Sequence, residues 1–169
     1  FDIPADLDTP VSAFLKLQSL QPCFLLESVD MNGCVDGNPL HQIGRYSLIG
    51  LGTALTLRVQ DDQFFVNGDA EPVGKTQSDL LHQFRAALGL APSFNTAPFG
   101  LPFAGGLVGT SSFELLHSLD TVRTAKPRHE QHPDALYVAP ESLLIFDHVT
   151  RRAAFFGQGS AAQQREMRD

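Results

Sequence analysis

The residues best suited to chemistry stand where one apolar run ends and the next begins. Phe24-Leu25-Leu26 closes on Glu27-Ser28, and Arg45-Tyr46 opens the run Ser47-Leu48-Ile49-Gly50. A glutamate that follows three apolar residues is partly covered, and a covered carboxylate has to be satisfied. Three partners would do so: an arginine such as Arg45, a set of backbone amides, or the cation of a ligand. If the two runs are adjacent strands, Arg45 and Tyr46 come within side-chain reach of Glu27 and Ser28. Such a set suits a zwitterion. It offers a carboxylate for an ammonium, donors for a carboxylate and apolar faces for a side chain.

Other chemistries find less to work with. No Gly-x-Ser-x-Gly elbow occurs, and Ser28, Ser47 and Ser111 have no base close by in the sequence. His129-Glu130-x-His132 is the one close-spaced set of metal-ligand types, but it lacks a cysteine and lies between Pro127 and Pro133. A zinc site needs three or four ligands on a fixed frame, so this reads as a solvated loop. Asp147-His148, after an apolar run, reads as a turn cap rather than a metal ligand. Gly100, Gly105, Gly106 and Gly109 lack the lysine of a phosphate-binding loop. They read either as close backbone approach within a sheet or as a wall beside a neighbouring domain's pocket. The expectation is no catalytic residue, no metal ligand and no cofactor in this chain.

Bulk properties narrow the partners. A chain of 169 residues suits one domain with a real core, or two small ones. The net charge is −7, and the 12 basic residues are scattered, with Arg151-Arg152 the densest pair. A nucleic-acid binder needs a basic stripe, and an anionic membrane surface asks for the same, so neither is expected. No apolar run approaches the length of a membrane span, and the expectation is that no signal peptide precedes the domain. Cys23 and Cys34 are too few to staple a secreted scaffold, which points to the cytoplasm, while a disulfide between them stays open.

The elements that must position these residues follow from periodicity. Asp8 or Thr9 caps a helix with Pro10 in its first turn and Val11, Phe14, Leu15 and Leu17 on one face, ended by Pro22. Strands are expected at 23–29, 46–51, 54–60 and 64–66, with turns at Asp61-Asp62 and Asn67-Gly68. Thr76 or Ser78 starts a second helix carrying Leu80, Leu81, Phe84 and Leu88, ended by Gly89. Residues 91–102 read as a linker or long surface crossing, 103–108 as a strand and 113–119 as a helix. Loops at 30–43 and 123–133, strands at 135–139, 142–146 and 151–156, and a helix start at 160–169 complete the reading. The sum is an α+β chain, mainly antiparallel β-sheet with a few flanking helices.

Five ordered blocks in this sequence resemble anthranilate synthase component I. They are Thr9-Pro10-Val11-Ser12-x-Phe14-x-Lys16-Leu17; Phe24-Leu25-Leu26-Glu27-Ser28-Val29; Gly44-Arg45-Tyr46-Ser47-Leu48-Ile49-Gly50; Leu101-Pro102-Phe103-x-Gly105-Gly106-Leu107-Val108-Gly109; and Pro133-Asp134 with Phe146-Asp147-His148. The resemblance implies that residues 1–169 are a single regulatory N-terminal domain, truncated before the chorismate-binding catalytic domain that carries the Mg²⁺ ligands. It implies a lyase of tryptophan biosynthesis, turning chorismate and glutamine or ammonia into anthranilate and pyruvate, of which this fragment alone is inactive. The partners implied are a glutamine amidotransferase subunit, the chain's own C-terminal catalytic domain, and L-tryptophan as feedback inhibitor. The tryptophan site implied comprises Pro10, Leu26, Glu27, Ser28, Arg45 and Tyr46. One departure is Thr110-Ser111-Ser112-Phe113-Glu114, where the family usually has an aromatic-Asp pair after the glycine block. Two alternatives go with the resemblance: the equivalent domain of aminodeoxychorismate synthase component I, or a structural docking module for the amidotransferase subunit.

Overall fold

The structure, a computed structural model, describes residues 2–4, 8–27, 44–101, 103, 105–116 and 132–157. In chain order its elements are β1 (Asp2–Pro4), α1 (Pro10–Lys16), β2 (Pro22–Glu27), β3 (Tyr46–Leu51), β4 (Leu55–Gln60), β5 (Gln63–Val66), β6 (Asp69–Pro72), α2 (Gln77–Leu90), β7 (Val108–Ser111), β8 (Ala135–Ala139), β9 (Ser142–Asp147) and β10 (Arg152–Gly157). They form two five-stranded sheets, ordered β1-β10-β9-β3-β2 and β6-β5-β4-β8-β7, and every pairing is antiparallel. The α+β class with antiparallel sheets and few helices is what the structure shows. The chain divides into two compact units. One comprises Phe1–Gly52, Ser93–Gly105 and Pro140–Asp169, the other Thr53–Pro92 and Gly106–Ala139.

In the first unit both faces of the sheet are covered, and all six residues of β9 are buried. Leu25, Ile49, Leu51, Leu144 and Phe146 pack on one face with Ala13 and Phe14 of α1. Thr9 caps α1 in a reciprocal capping box with Ser12, and Pro10 takes its first turn. The expected apolar face is corrected at Val11 and Leu15, which are exposed. Ala13, Phe14 and Leu17 form the inward stripe instead, because a helix this short turns only one narrow side to the sheet. The chain leaves the helical turns through Gln21 at φ 52°, so Pro22 begins the edge strand β2 rather than ending the helix.

The opposite face carries Phe24, Tyr46, Leu48, Leu143, Ile145 and Ala154, covered by Phe94, Leu101 and Phe103. This corrects the reading of 91–102 as a linker. Phe94 and Thr96 are buried, Ser93 bridges to Gly105, and the segment forms one side of a core. The strand expected at 103–108 is displaced to Val108–Ser111, since Gly105 and Gly106 adopt φ of 115° and 137°, which breaks an extended run.

The second unit has a core of Leu55, Leu57, Val59, Phe64, Leu80 and Ala87, with Phe84 and Tyr137 beside it. β4 alternates buried Leu55, Leu57 and Val59 with outward Thr56 and Arg58, as its pattern predicts. Thr76 and Asp79 form the capping box of α2. The helix continues past Gly89, which faces open space, and Leu88 is exposed. Leu80, Phe84 and Ala87 set the buried stripe. The helix expected at 113–119 opens with a 3-10 turn at Phe113–Leu115 and is helical at Leu116, where its described part ends. The readings at 28–43, 117–131 and 158–169 lie outside the described residues.

Two glycines give opposite expectations. A Cβ on Gly109 would stand 2.0 Å from the Leu136 carbonyl oxygen, so Gly109→Ala has to displace backbone. It should lower stability by about 1–3 kcal/mol. Gly89→Ala meets nothing within 4 Å inside a helix and should raise stability by about 0.5–1 kcal/mol. Denaturant midpoints of both variants check the pair of signs.

Candidate functional site

Register decides which polar groups meet. β2 pairs with β3 so that Leu25 lies opposite Ile49, Leu26 opposite Leu48 and Glu27 opposite Ser47. Cross-strand partners share a face, and alternate residues along a strand face the same way. Leu25 and Ile49 belong to the core with α1, so Glu27 and Ser47 stand on the α1 face. Tyr46 and Leu48 lie on the other face, with Phe103.

Arg45 and Tyr46 are therefore not brought beside Glu27. Arg45 bonds Asp147 instead, Nε to Oδ1 at 3.1 Å and Nη2 to Oδ2 at 2.7 Å. Their side chains are 20% and 10% exposed, so the pair is largely withdrawn from water. The Asp147 carboxylate also accepts the amides of Val149 and Thr150 at 3.0 and 3.3 Å, which caps the turn after β9 as its position suggested. Burial pushes the Asp147 carboxyl up, but the bonds from Arg45 and the two amides outweigh it and leave it below the ordinary value of 3.8. Its carboxylate in turn raises the Arg45 guanidinium. That guanidinium lies 4.8 Å from the Tyr46 ring centre, and Tyr46 meets Phe103 edge-on at 5.5 Å. Burial raises the Tyr46 phenol.

On the α1 face Ser47 is fully buried, and its Oγ lies 2.7 Å from Nε2 of His148. Pro10 is buried in the first turn of α1. The expectation that Glu27 is partly covered is corrected: it is exposed at the end of the edge strand β2, and among the described residues its carboxylate makes no hydrogen bond or ion pair. Leu26 is 42% exposed. Ser28 lies outside the described residues. On the other face a cavity of about 260 Å³ is floored by Ile145 and Ala154 and bordered by Arg45, Asp147 and Phe99. Sequence reasoning missed both Asp147 as the partner of Arg45 and the Ser47–His148 pair. No local signal could have found them, since the members of each pair are about a hundred positions apart, 102 and 101 residues. Among the described residues no group of three His, Cys, Asp or Glu side chains is placed to hold a metal ion. No helix among the described residues is long and apolar enough to cross a membrane.

Comparison with known proteins places this geometry in a lineage. No family profile matches the chain. It is 32% identical over 165 residues to anthranilate synthase component 1 of Thermus thermophilus, a match covering 97% of this chain and 32% of that protein. The chain belongs to the anthranilate synthase component I family. The same component of Synechocystis is 35% identical over 157 residues, with 88% of this chain and 28% of the relative covered. A solved anthranilate synthase component I from Streptococcus pneumoniae shares the fold at a TM-score of 0.57 and 16% identity, over 98% of this chain and 34% of that one. The chain thus spans about a third of the length of the relatives it matches, an extent that fits the N-terminal domain of a component I chain.

The ion pair sets a pH dependence. The Asp147 carboxyl titrates lower in the fold than in the unfolded chain, so its stabilisation is complete above the unfolded value. That stabilisation is lost as pH falls below 3.8 and through the folded value. Asp147→Asn removes the carboxylate that faces the largely desolvated Arg45 guanidinium and should cost about 3 kcal/mol near neutral pH. Denaturation midpoints from about pH 6 to about pH 2 should fall less steeply in this variant than in the wild type.

Proposed function

We propose that this chain is the non-catalytic, regulatory N-terminal domain of an anthranilate synthase large subunit and carries the site through which L-tryptophan inhibits the enzyme. The observation that carries this reading is Glu27. Its carboxylate stands exposed at the end of an apolar strand, and Arg45, the nearest cation in the strand pattern, is committed to Asp147 on the other face. A carboxylate so placed is available to the ammonium of an amino acid. The relatives, each named anthranilate synthase component 1, favour this over the aminodeoxychorismate alternative.

In this reading Glu27 takes the tryptophan ammonium, and Ser28 follows it along the chain. Pro10 supplies apolar surface on the α1 face, while Leu26, Arg45 and Tyr46 lie on the other face of the sheet and stand apart from the ligand. Mg²⁺ and the residues that convert chorismate and glutamine-derived ammonia to anthranilate and pyruvate belong to a catalytic domain beyond these residues. An amidotransferase subunit supplies the ammonia, and the assembly works in the cytoplasm. Bound tryptophan favours a domain arrangement that binds chorismate poorly, with a coupling of about 1–3 kcal/mol.

The test is tryptophan inhibition of the full-length enzyme. Glu27→Gln and Ser28→Phe should each raise the tryptophan concentration for half-inhibition at least about tenfold. Wild-type sensitivity in both variants would remove these residues from the site. The 169-residue chain alone should release no anthranilate from chorismate, and measurable product would overturn the non-catalytic assignment.

A further inference from the structure

A zwitterionic ligand whose ammonium goes to Glu27 still needs a donor for its carboxylate. Arg45 is engaged by Asp147 on the opposite face of the sheet. On the face of Glu27 the structure offers a different group. We infer that His148 binds the carboxylate of the amino-acid ligand whose ammonium Glu27 takes, with Ser47 holding the imidazole in the tautomer that does so. This rests on the reading of Glu27 given above and adds a residue to that site.

The argument begins with Ser47. Its hydroxyl is fully buried, and its hydrogen-bond partner is Nε2 of His148 at 2.7 Å. A buried hydroxyl that only accepted would leave its own hydrogen unpaired, at a cost of about 1–3 kcal/mol. Ser47 therefore donates, Nε2 accepts, and the imidazole proton resides on Nδ1. Among the described residues Nδ1 has no partner, and His148 is exposed. The residue is also held in place. Its amide donates to the Arg45 carbonyl at 2.9 Å, and the turn that follows is capped by Asp147. An N–H donor thus stands ready at a fixed position.

Spacing agrees. Glu27 lies opposite Ser47 in the register, and the ring of His148, two residues beyond Ser47's partner Phe146, reaches back to Ser47 on the same face. Glu27 is thus one strand spacing, about 4.7–4.9 Å, from Ser47, and the imidazole is one hydrogen bond beyond it. An α-amino acid with a hydrogen bond of about 2.8 Å at each end needs about 8–9 Å.

The test is calorimetric titration of the full-length polypeptide that carries this segment, with L-tryptophan and with tryptamine, which keeps the ring and ammonium but lacks the carboxylate. Wild type should prefer tryptophan by about 10- to 100-fold. His148→Ala should weaken tryptophan by the same factor and leave tryptamine unchanged. His148→Gln, whose amide reaches the Nε2 position but not Nδ1, should behave as His148→Ala does. His148→Asn, whose amide stands near Nδ1, should recover much of the preference. Glu27→Gln should weaken both ligands alike. If the preference for tryptophan survives in folded His148→Ala and His148→Gln while Glu27→Gln weakens both ligands, the role of His148 is overturned and the Glu27 site stands. If Glu27→Gln weakens neither ligand, the site itself falls, and the assignment of His148 falls with it.

Discussion

The ion pair between Arg45 and Asp147 joins the start of β3 to the end of β9 and fixes which polar group occupies which side of the sheet. A guanidinium fork and a carboxylate match in geometry, and here both are mostly shielded from water. Breaking such a pair by removing one member leaves a desolvated charge without its counterion. Because Asp147 sits opposite Tyr46 in the register, the pair draws Arg45 to the Tyr46 face. Glu27 is left on the other face beside Ser47. The pleat and one salt bridge together separate a cationic border from an anionic strand end.

That separation explains what the residues could and could not reveal. Thr9 and Thr76 as helix caps, the alternation of β4 and the turn at Asn67-Gly68 are local signals with local causes, and each lies where its chemistry directs. Local signals fail where a distant segment decides. Residues 91–102 carry the prolines and small side chains of a linker, yet Phe94 and Leu101 find a sheet face to cover. Gly105 and Gly106 sit in an apolar block that reads as a strand, and only their backbone angles show the break.

The candidate site was legible to a similar degree. A carboxylate ending the run Phe24-Leu25-Leu26 marks Glu27 from sequence alone. Its surroundings do not follow from that mark, because they depend on register. One residue of slip in the β2–β3 pairing would have placed Glu27 beside Tyr46 instead of Ser47. His148 carried the weakest signal of all. It reads as part of a turn until β9 is laid against β3 and its ring meets Ser47.

The first unit is discontinuous in sequence, with the second inserted between its parts. During synthesis β3 therefore leaves the ribosome well before β9, the strand that must lie beside it. The interval from Leu51 to Ser142 is on the order of ten seconds at about 10 residues per second. Over that time the β2–β3 ribbon presents Leu48 and Ile49 with an open edge, while Thr53–Pro92 and Gly106–Ala139 emerge and can fold. A nascent chain of this design keeps the β3 edge open until β9 arrives and makes the sheet of the first unit the natural client of ribosome-associated chaperones.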